Sequence, residues 1–282
     1  MTIIARADSR RRTKGMTVTT RLTKYGPWAV VTGASDGIGR EFARSLAKEG
    51  FKLVIVARRR QALEALAKEL SSTEVRVVDA DLATVEGLAR VEAQTQSLDV
   101  GLLVASAGFG TSGAFLDNSL EAELSMIDVN CRAVAAMSHS FGKRLVKRGR
   151  GGIILLSSLV AFQGVRNAAN YAATKAWVQS FAEGLALELG PLGVDVLASA
   201  PGPVRSGFGE RANMQMSMSA TPDIVSTSTL AALGRSGTVR PGFLAKFLEW
   251  SLMFLPRWGR VRVMSLVMGG MTKHQALAAT RS

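Results

Sequence analysis

The chain has 282 residues, one cysteine, two histidines and a formal net charge of +13. Hydrophobic residues make up 47% of it and charged residues 20%, which excludes a disordered chain and allows one large domain with a buried core. One cysteine cannot form an internal disulfide, and the His/Cys content excludes a structural zinc site, so we expect no metal. No apolar run approaches the ~20 residues of a transmembrane helix, and no signal peptide is evident.

The basic residues are concentrated at the two ends of the chain. Residues 1–24 hold seven Lys/Arg and one acidic residue, residues 25–200 hold eighteen of each, and residues 201–282 hold ten Lys/Arg and three acidic residues. We interpret residues 1–24 as a basic mobile tail, residues 25–204 as the core and residues 205–282 as an extension of the same domain. Basic ends permit electrostatic contact with nucleic acid, but no recognition motif is present, so we predict no specific nucleic-acid partner.

From residue 27 onward, short apolar runs alternate with longer runs of helical period. The predicted strands are Trp28–Thr32, Lys52–Ala57, Val75–Asp79, Val100–Ala105, Gly152–Ser157 and Val194–Ser199. The predicted helices lie near residues 38–49, 60–70, 84–96, 119–148 and 171–190. Nearly continuous apolar strands suit a sheet covered on both faces, and the alternation implies right-handed crossovers. We therefore predict an α/β fold with a single Rossmann-like, doubly wound parallel sheet flanked by helices.

A glycine-rich turn, Thr-Gly-Ala-Ser-Asp-Gly-Ile-Gly, follows the first predicted strand and opens a helix at Thr32–Gly39. A phosphate group can bind the free backbone N–H groups at a helix N-terminus only where side chains are absent, and glycines also permit the tight turn. A flexible turn that binds nothing is the alternative. The position between a strand and a helix favours a nucleotide site.

Three consecutive arginines, Arg58–Arg60, follow the second predicted strand. In a dinucleotide-binding sheet this end faces the adenosine ribose, where an acidic side chain would repel a 2′-phosphate. Guanidinium groups instead fit phosphate oxygens, and at a helix N-terminus they call for a compensating anion. A solvated helix start is the alternative. Asp36 in the glycine turn argues against a phosphate at this place, because its negative charge would lie close to the same group. We expect NADP(H) rather than NAD(H).

Tyr171 and Lys175 lie four residues apart on one face of a predicted helix. A phenol titrates near ~10, and we expect the nearby ammonium group to lower the pKa of Tyr171, which would then exchange a proton with a carbonyl or alcohol oxygen. Ser158 follows the fifth strand, where a parallel sheet binds its ligands, and its hydroxyl would hydrogen-bond the same oxygen. A tyrosine packed at an interface is the alternative.

These motifs together resemble the short-chain dehydrogenase/reductase superfamily, which they match in order and spacing over about residues 25–208. The catalytic tetrad of that family maps onto Asn130, Ser158, Tyr171 and Lys175. The resemblance implies hydride transfer between a nicotinamide and a substrate carbon, with Tyr171 moving the proton and Ser158 holding the oxygen. It also implies that Asn130 holds a water molecule linking Lys175 to solvent, and that Lys175 contacts the nicotinamide ribose.

The same resemblance extends the cofactor site beyond the glycine turn. It places Asp81 beside the adenine and the Pro201-Gly202 turn over the nicotinamide. The residues expected to bind the cofactor are Gly33, Ser35, Asp36, Gly37, Ile38, Gly39, Arg58, Arg59, Asp81, Leu82, Ala107, Gly108, Tyr171, Lys175, Pro201, Gly202 and Val204.

The sequence departs from the family pattern in two places. Ala105–Gly108 reads Ala-Ser-Ala-Gly where the family has Asn-Asn-Ala-Gly, and the first of those asparagines is thought to brace the sheet. The usual final strand with its Asp-Gly-Gly ending is missing, and we expect a short last strand at Thr238–Pro241 instead. The stretch that follows resembles members of the family that act on lipophilic carbonyls, including steroid and 3-ketoacyl reductases.

The apolar, basic segment at residues 243–271 has three compatible interpretations. It can pack on the body or on another subunit, since its apolar residues recur at helical spacing. It can form a helical lid over an apolar substrate pocket that methionines adapt to varied shapes. It can also lie at a membrane surface, because Trp250, Trp258 and the neighbouring arginines suit a lipid headgroup layer.

The sequence thus predicts an NADP(H)-dependent oxidoreductase acting on an apolar ketone, aldehyde or secondary alcohol. A non-catalytic dinucleotide sensor or scaffold is the alternative, and the intact tetrad argues against it. We expect a homodimer or homotetramer with contacts through the helices at 119–148 and 171–190, where the alanines at 172, 173 and 176 would allow close packing. The predicted location is cytoplasmic, with membrane association through the C-terminal segment left open.

Overall fold

The computed structural model describes residues 18–215, 219–243, 245–246, 251–252 and 254–275. Its centre is a parallel seven-stranded sheet with the order β3-β2-β1-β4-β5-β6-β7. The strands are β1 Trp28–Thr32, β2 Lys52–Ala57, β3 Val75–Asp79, β4 Val100–Ala105, β5 Gly151–Leu156, β6 Val194–Ser199 and β7 Thr238–Val239. The predicted fold class is confirmed. Five strands have their predicted bounds, β5 is displaced by one residue, and the short last strand ends at Val239, two residues before its predicted end at Pro241.

Helices cover both faces of this sheet. They are α1 Val18–Tyr25, α2 Gly37–Lys48, α3 Arg60–Glu69, α4 Val85–Thr95, α5 Leu120–Ile127, α6 Ala133–Arg148, α7 Ala169–Leu189, α8 Phe208–Arg211, α9 Pro222–Ala232 and α10 Arg257–Met271. Four predicted helices are found within two residues of their expected bounds. The fifth, at 119–148, is interrupted by a π-helical turn, Asp128–Arg132, between α5 and α6.

The strands are buried because alternate side chains enter two separate cores. Val30 faces a core with residues of α4, α6 and α7, whereas Val31 faces a second core with residues of α2, α3 and α9. This explains the unbroken apolar runs of β1 and β4, in which every residue is buried.

The strand order reverses at β1, which pairs with β2 on one side and β4 on the other. The connections after β1 and β4 therefore leave in opposite directions, and a crevice opens at their carboxyl ends. This places the glycine turn after β1 opposite the Ala105–Gly108 segment after β4.

The N-terminal segment differs from the prediction. Residues 18–24, expected as part of a mobile tail, belong to α1, which ion pairs hold to the body: Arg21 with Glu49 and Lys24 with Asp195, both at 2.5 Å. Tyr25 is buried and donates a hydrogen bond to Asp195 Oδ2. Residues 1–17 lie outside the described residues.

The C-terminal extension contributes to a third apolar cluster. Leu252, Met264 and Met268 are buried there against Tyr171 and Met214. Helix α10 is therefore packed on the body beside the predicted catalytic tyrosine. Residues 216–218, 244, 247–250 (which include Trp250) and 253 lie outside the described residues. Of the helices described, none is long and apolar enough to cross a bilayer.

Candidate active site

A cavity of about 460 Å³ opens at the carboxyl ends of the strands. Every residue predicted to bind the cofactor lines it, and so do three predicted catalytic residues, Ser158, Tyr171 and Lys175. The structure thus brings together, in one cavity, residues that are spread over most of the sequence.

The glycine turn forms one end of the cavity. Gly33 and Gly37 have φ angles of +67° and +52°, which favour glycine. A Cβ atom on Gly39 would lie 2.4 Å from the carbonyl oxygen of Gly33, so only glycine lets α2 start this close to β1. Asp36 caps α2, because its carboxylate accepts a 2.7 Å hydrogen bond from the backbone N–H of Gly37.

The segment after β4 is braced by a threonine. Thr32 Oγ1 accepts hydrogen bonds from the backbone N–H groups of Ser106 and Ala107 at 3.0 and 2.9 Å. This side chain joins the ends of β1 and β4, where the usual asparagine is missing. A Cβ atom on Gly108 would lie 2.9 Å from Asn130 Oδ1 and 3.3 Å from Lys175 Nζ, so the backbone passes directly over the predicted catalytic groups.

The arginines after β2 lie at the same end of the cavity as the glycine turn. Arg59 Nη2 donates to Ser35 Oγ at 3.3 Å, and Arg58 Nη1 lies 3.9 Å from Asp81 Oδ2. Arg60 is directed elsewhere, since it pairs with Glu64 and Asp79. Of the three arginines after β2, Arg58 and Arg59 therefore line the cavity and Arg60 does not.

Tyr171 is buried in the cavity wall, with its ring centroid 5.4 Å from that of Phe208. Burial raises the pKa of the phenol to about 12, and the hydrogen bond with Ser158 opposes this only in part. The prediction that Lys175 lowers this pKa is wrong for the protein alone. The Lys175 ammonium group lies 5.9 Å from the ring centroid, and desolvation of the phenolate dominates.

Lys175 is buried as well, and burial lowers its pKa to about 8. Its Nζ donates a 2.8 Å hydrogen bond to the carbonyl oxygen of Leu156, the last residue of β5. Ser157 Oγ donates to the carbonyl oxygen of Lys175 at 3.1 Å. These bonds fix the lysine between α7 and the end of β5, beside the tyrosine.

Asn130 lies behind the cavity wall, in the π-helical turn. Its amide is fully buried and pairs with both backbone groups of Phe109, donating to the carbonyl oxygen at 2.9 Å and accepting from the N–H at 3.2 Å. It also donates to Thr174 Oγ1 at 3.0 Å. Asn130 therefore ties the segment after β4 to α7, and its predicted contact with a water molecule stays a prediction.

The opposite wall of the cavity is apolar and was only partly foreseen. The helical lid predicted in the extension is represented by α10, which lines the cavity with Met264, Val267, Met268 and Met271. Phe109, Val160, Phe208 and Met214 complete this apolar wall. The sequence predicted that methionines adapt an apolar pocket beneath a lid, but it did not indicate which methionines would line that pocket.

The segment between β6 and α9 also contributes residues that the sequence did not identify. Ser206, Gly207, Phe208 and Arg211 line the cavity next to the glycine turn. The backbone N–H of Gly207 donates to Asp36 Oδ2 at 3.2 Å. These residues belong to no recognisable motif. They reach the cavity because the chain returns across the end of the sheet after β6, and the sequence does not predict that path.

The arrangement fits an elongated ligand with phosphates at one end and a reacting group at the other. The glycines give phosphates access to the N-terminus of α2, and Gly108 leaves room beside Asn130 and Lys175. Residues that fit a nicotinamide dinucleotide thus line the cavity from Arg58 to Tyr171. No group of His, Cys, Asp and Glu among the described residues could hold a metal ion.

Comparisons with known proteins agree with this geometry. The family model described as short chain dehydrogenase matches residues 27–217. A very-long-chain 3-oxoacyl-CoA reductase of Podospora anserina is 38% identical over 181 residues, which are 61% of this chain and 53% of that protein. A 7beta-hydroxysteroid dehydrogenase of Clostridium sardiniense is 34% identical over 182 residues, 64% of this chain and 70% of that protein.

Solved structures give the same result over more of the chain. One from work on 7beta-hydroxysteroid dehydrogenase stereoselectivity has a TM-score of 0.80 at 25% identity and covers 89% of this chain and 99% of its own. A short-chain dehydrogenase from Sphingobium yanoikuyae in complex with NADPH has a TM-score of 0.73 at 30% identity, covering 82% and 97%.

Proposed function

Because the chain belongs to the short-chain dehydrogenase family, and is therefore an oxidoreductase of carbonyl or alcohol groups that uses a nicotinamide dinucleotide, we propose that it transfers hydride between NADP(H) and an apolar ketone, aldehyde or secondary alcohol. The observation that carries this proposal is one cavity in which Tyr171 stands between a phosphate-accepting end and an apolar wall. Reduction of the carbonyl is the direction we propose.

In that direction a nicotinamide cofactor, when bound, would supply the hydride for the carbonyl carbon. Tyr171 donates the proton to the carbonyl oxygen, and its pKa of about 12 keeps it protonated at neutral pH, as a general acid must be. Ser158, which hydrogen-bonds the phenol, holds the same oxygen. Lys175 does not lower the pKa of Tyr171 in the protein alone, but with cofactor and substrate bound its ammonium group would be the positive charge that faces the phenolate left behind.

The preference for NADP(H) rests on charge at the end of β2. Arg58 and Arg59 stand where an acidic residue would bind a ribose 2′-hydroxyl, and their guanidinium groups suit a phosphate. The solved relative in complex with NADPH supports this choice.

The substrate class follows from the apolar wall. Aromatic, valine and methionine side chains there match a bulky apolar group, and thioethers adapt to different shapes. The two similar proteins named for a very-long-chain acyl group and for a steroid support a large lipophilic carbonyl compound.

The direct experiment is NADPH oxidation measured against carbonyl compounds graded by chain length and ring count. Tyr171→Phe is expected to lower turnover by roughly 10²- to 10⁴-fold while NADPH still binds. Tyr25→Phe is the matched control. Tyr25, the last residue of α1, is buried against Asp195 of β6 and does not line the cavity. Tight NADPH binding without turnover of any compound would favour the alternative, a non-catalytic dinucleotide sensor or scaffold.

We also propose that the protein self-associates through α5 and α7. Leu120, Leu124 and Ile127 on α5 and Trp177 on α7 are exposed, and Trp177 stacks on Phe181 at 4.8 Å between centroids. Of the alanines predicted to pack at this interface, the one at residue 173 is exposed and can contact a second subunit. The one at residue 172 is buried within its own subunit. Sedimentation at micromolar concentration tests for the dimer or tetramer.

A peripheral contact of α10 with an anionic membrane is the third part of the proposal. The inner face of α10 lines the cavity, and its outer face exposes Trp258, Arg262 and Leu266 at successive helical turns. Residues 250–282 contain five Lys/Arg and no acidic residue. Aromatic, aliphatic and basic side chains on one surface suit a lipid headgroup layer.

A further inference from the structure

A third arginine, Arg211, lines the cavity together with Arg58 and Arg59. It is the last residue of α8, in the segment that returns from β6 across the glycine turn. This segment is closely packed on the turn. Besides the bond from Gly207 to Asp36, a Cβ atom on Gly37 would lie 2.8 Å from Ser206 Cβ. Arg211 is therefore carried by a loop whose position is fixed relative to the cofactor-binding end of the cavity.

The charge around Arg211 favours an anionic ligand. The pKa of Arg211 is lowered by partial burial and then by the like charges of Arg58 and Arg59, and only Asp36 opposes this. Within the part of the chain that the structure describes, no carboxylate lies within 4 Å of the Arg211 guanidinium group. The three arginines thus repel one another, and an anion among them would relieve the repulsion.

The acidic residues nearby are engaged with other partners. The Asp36 carboxylate accepts from the backbone N–H groups of Gly37 and Gly207. Asp81 accepts from the backbone N–H of Ala83 at 3.0 Å and stands only 3.9 Å from Arg58. Glu210 lines the cavity beside Arg211 but is not among the charges that shift the pKa of Arg211.

We propose that Arg211 binds the 2′-phosphate of the cofactor together with Arg58 and Arg59. The inference rests on the proposed NADP(H) preference and adds a specificity-determining residue outside the glycine turn and β2. The same phosphate would then fasten the loop at residues 203–214, which also carries Phe208 and Met214 of the apolar wall.

The test is cofactor binding to the full chain, measured by calorimetry with NADPH, NADH, adenosine 2′,5′-bisphosphate and 5′-AMP. Arg211→Gln is expected to weaken NADPH and the bisphosphate by about tenfold or more, the scale of a lost charge-assisted hydrogen bond, and to leave NADH and 5′-AMP unchanged. Arg205→Gln is the matched control, since it removes the same charge from the same loop at an exposed residue that does not line the cavity.

Hydrogen exchange of residues 203–214 supplies a second measurement. NADPH is expected to protect this loop more than NADH does in the natural protein, and the difference should disappear in Arg211→Gln. Equal weakening of NADPH and NADH would place Arg211 on the shared pyrophosphate and overturn the proposal, as would no weakening at all. A natural protein that binds NADH as well as NADPH would instead refute the NADP(H) preference itself.

Discussion

The pKa of Tyr171 shows what sequence spacing can and cannot predict at the scale of one residue. The interval of four residues correctly places Lys175 on the same face of α7, and both side chains reach the cavity. The direction of the pKa shift was predicted wrongly, because it depends on burial by Phe208 and the third apolar cluster. Those contacts come from distant parts of the chain, so no local pattern predicts them.

The buried lysine leads to a prediction about pH. Lys175 has a pKa lowered to about 8, against ~10.4 for an unfolded chain. Between these values the unfolded chain binds more protons than the folded one, so this group makes stability rise with pH. Removal of Lys175 should abolish that rise, an effect on the order of 3 kcal/mol across the window.

Denaturant unfolding of Lys175→Met between pH 7 and 10.5 checks this expectation. The stability of the variant relative to the natural protein should fall steadily from pH 8 upward. Lys143→Met, at an exposed position of α6, corrects for the loss of one positive charge. A constant difference between Lys175→Met and the natural protein would mean that the buried lysine titrates as it does in the unfolded chain.

Among the elements, those governed by local pattern were predicted best. The strand bounds follow from apolar runs. The glycine turn follows from backbone conformations that only glycine adopts easily. The π-helical turn at Asp128–Arg132 was not predicted, because the run Asp-Val-Asn-Cys-Arg contains no glycine or proline to mark an irregular turn. The backbone N–H of Ala133 bonds to the carbonyl oxygen of Asp128 across this turn, and Asn130 within it pairs with the backbone of Phe109, in a segment that is distant in sequence.

The start of α2 gives a test at this scale. Gly39→Ala is expected to destabilise the fold by roughly 1–3 kcal/mol and to weaken NADPH binding, since the new methyl group would lie 2.4 Å from the carbonyl oxygen of Gly33. The helix must then move away from β1, and its N-terminus with it. Thermal unfolding and calorimetric titration with NADPH measure the two effects.

Gly184→Ala provides the matched comparison for that variant. Gly184 is an exposed residue within α7, and a Cβ atom there meets no neighbour within 4 Å. This change should be neutral or should stabilise the protein by up to ~1 kcal/mol, because alanine favours the helix. If the two variants behaved alike, the close approach of α2 to β1 would not be what requires glycine at residue 39.

At the scale of the whole molecule, the sequence predicted the sheet but not the position of the C-terminal extension. Three interpretations of residues 243–271 were open, and the structure describes α10 packed beside Tyr171 while lining the cavity. The helix thus combines the first two interpretations. The outer face of α10 is relevant to the third interpretation, contact with a membrane, because the side chains exposed there are of the types that suit a membrane surface.

Vesicle binding by the full chain tests the membrane contact. Vesicles rich in anionic lipid should pellet the natural protein, and Trp258→Ser combined with Leu266→Ser should weaken binding at least tenfold, since each side chain contributes about 1–2 kcal/mol on burial. Leu116→Ser is the control, because Leu116 is 90% exposed and lies outside α10 and outside the self-association helices α5 and α7. Equal losses in both variants, or no binding to anionic vesicles, would exclude the contact. Loss confined to the α10 variant would mean that one helix lines the cavity with its inner face and meets the lipid with its outer face, which places the apolar wall beside Tyr171 next to the bilayer.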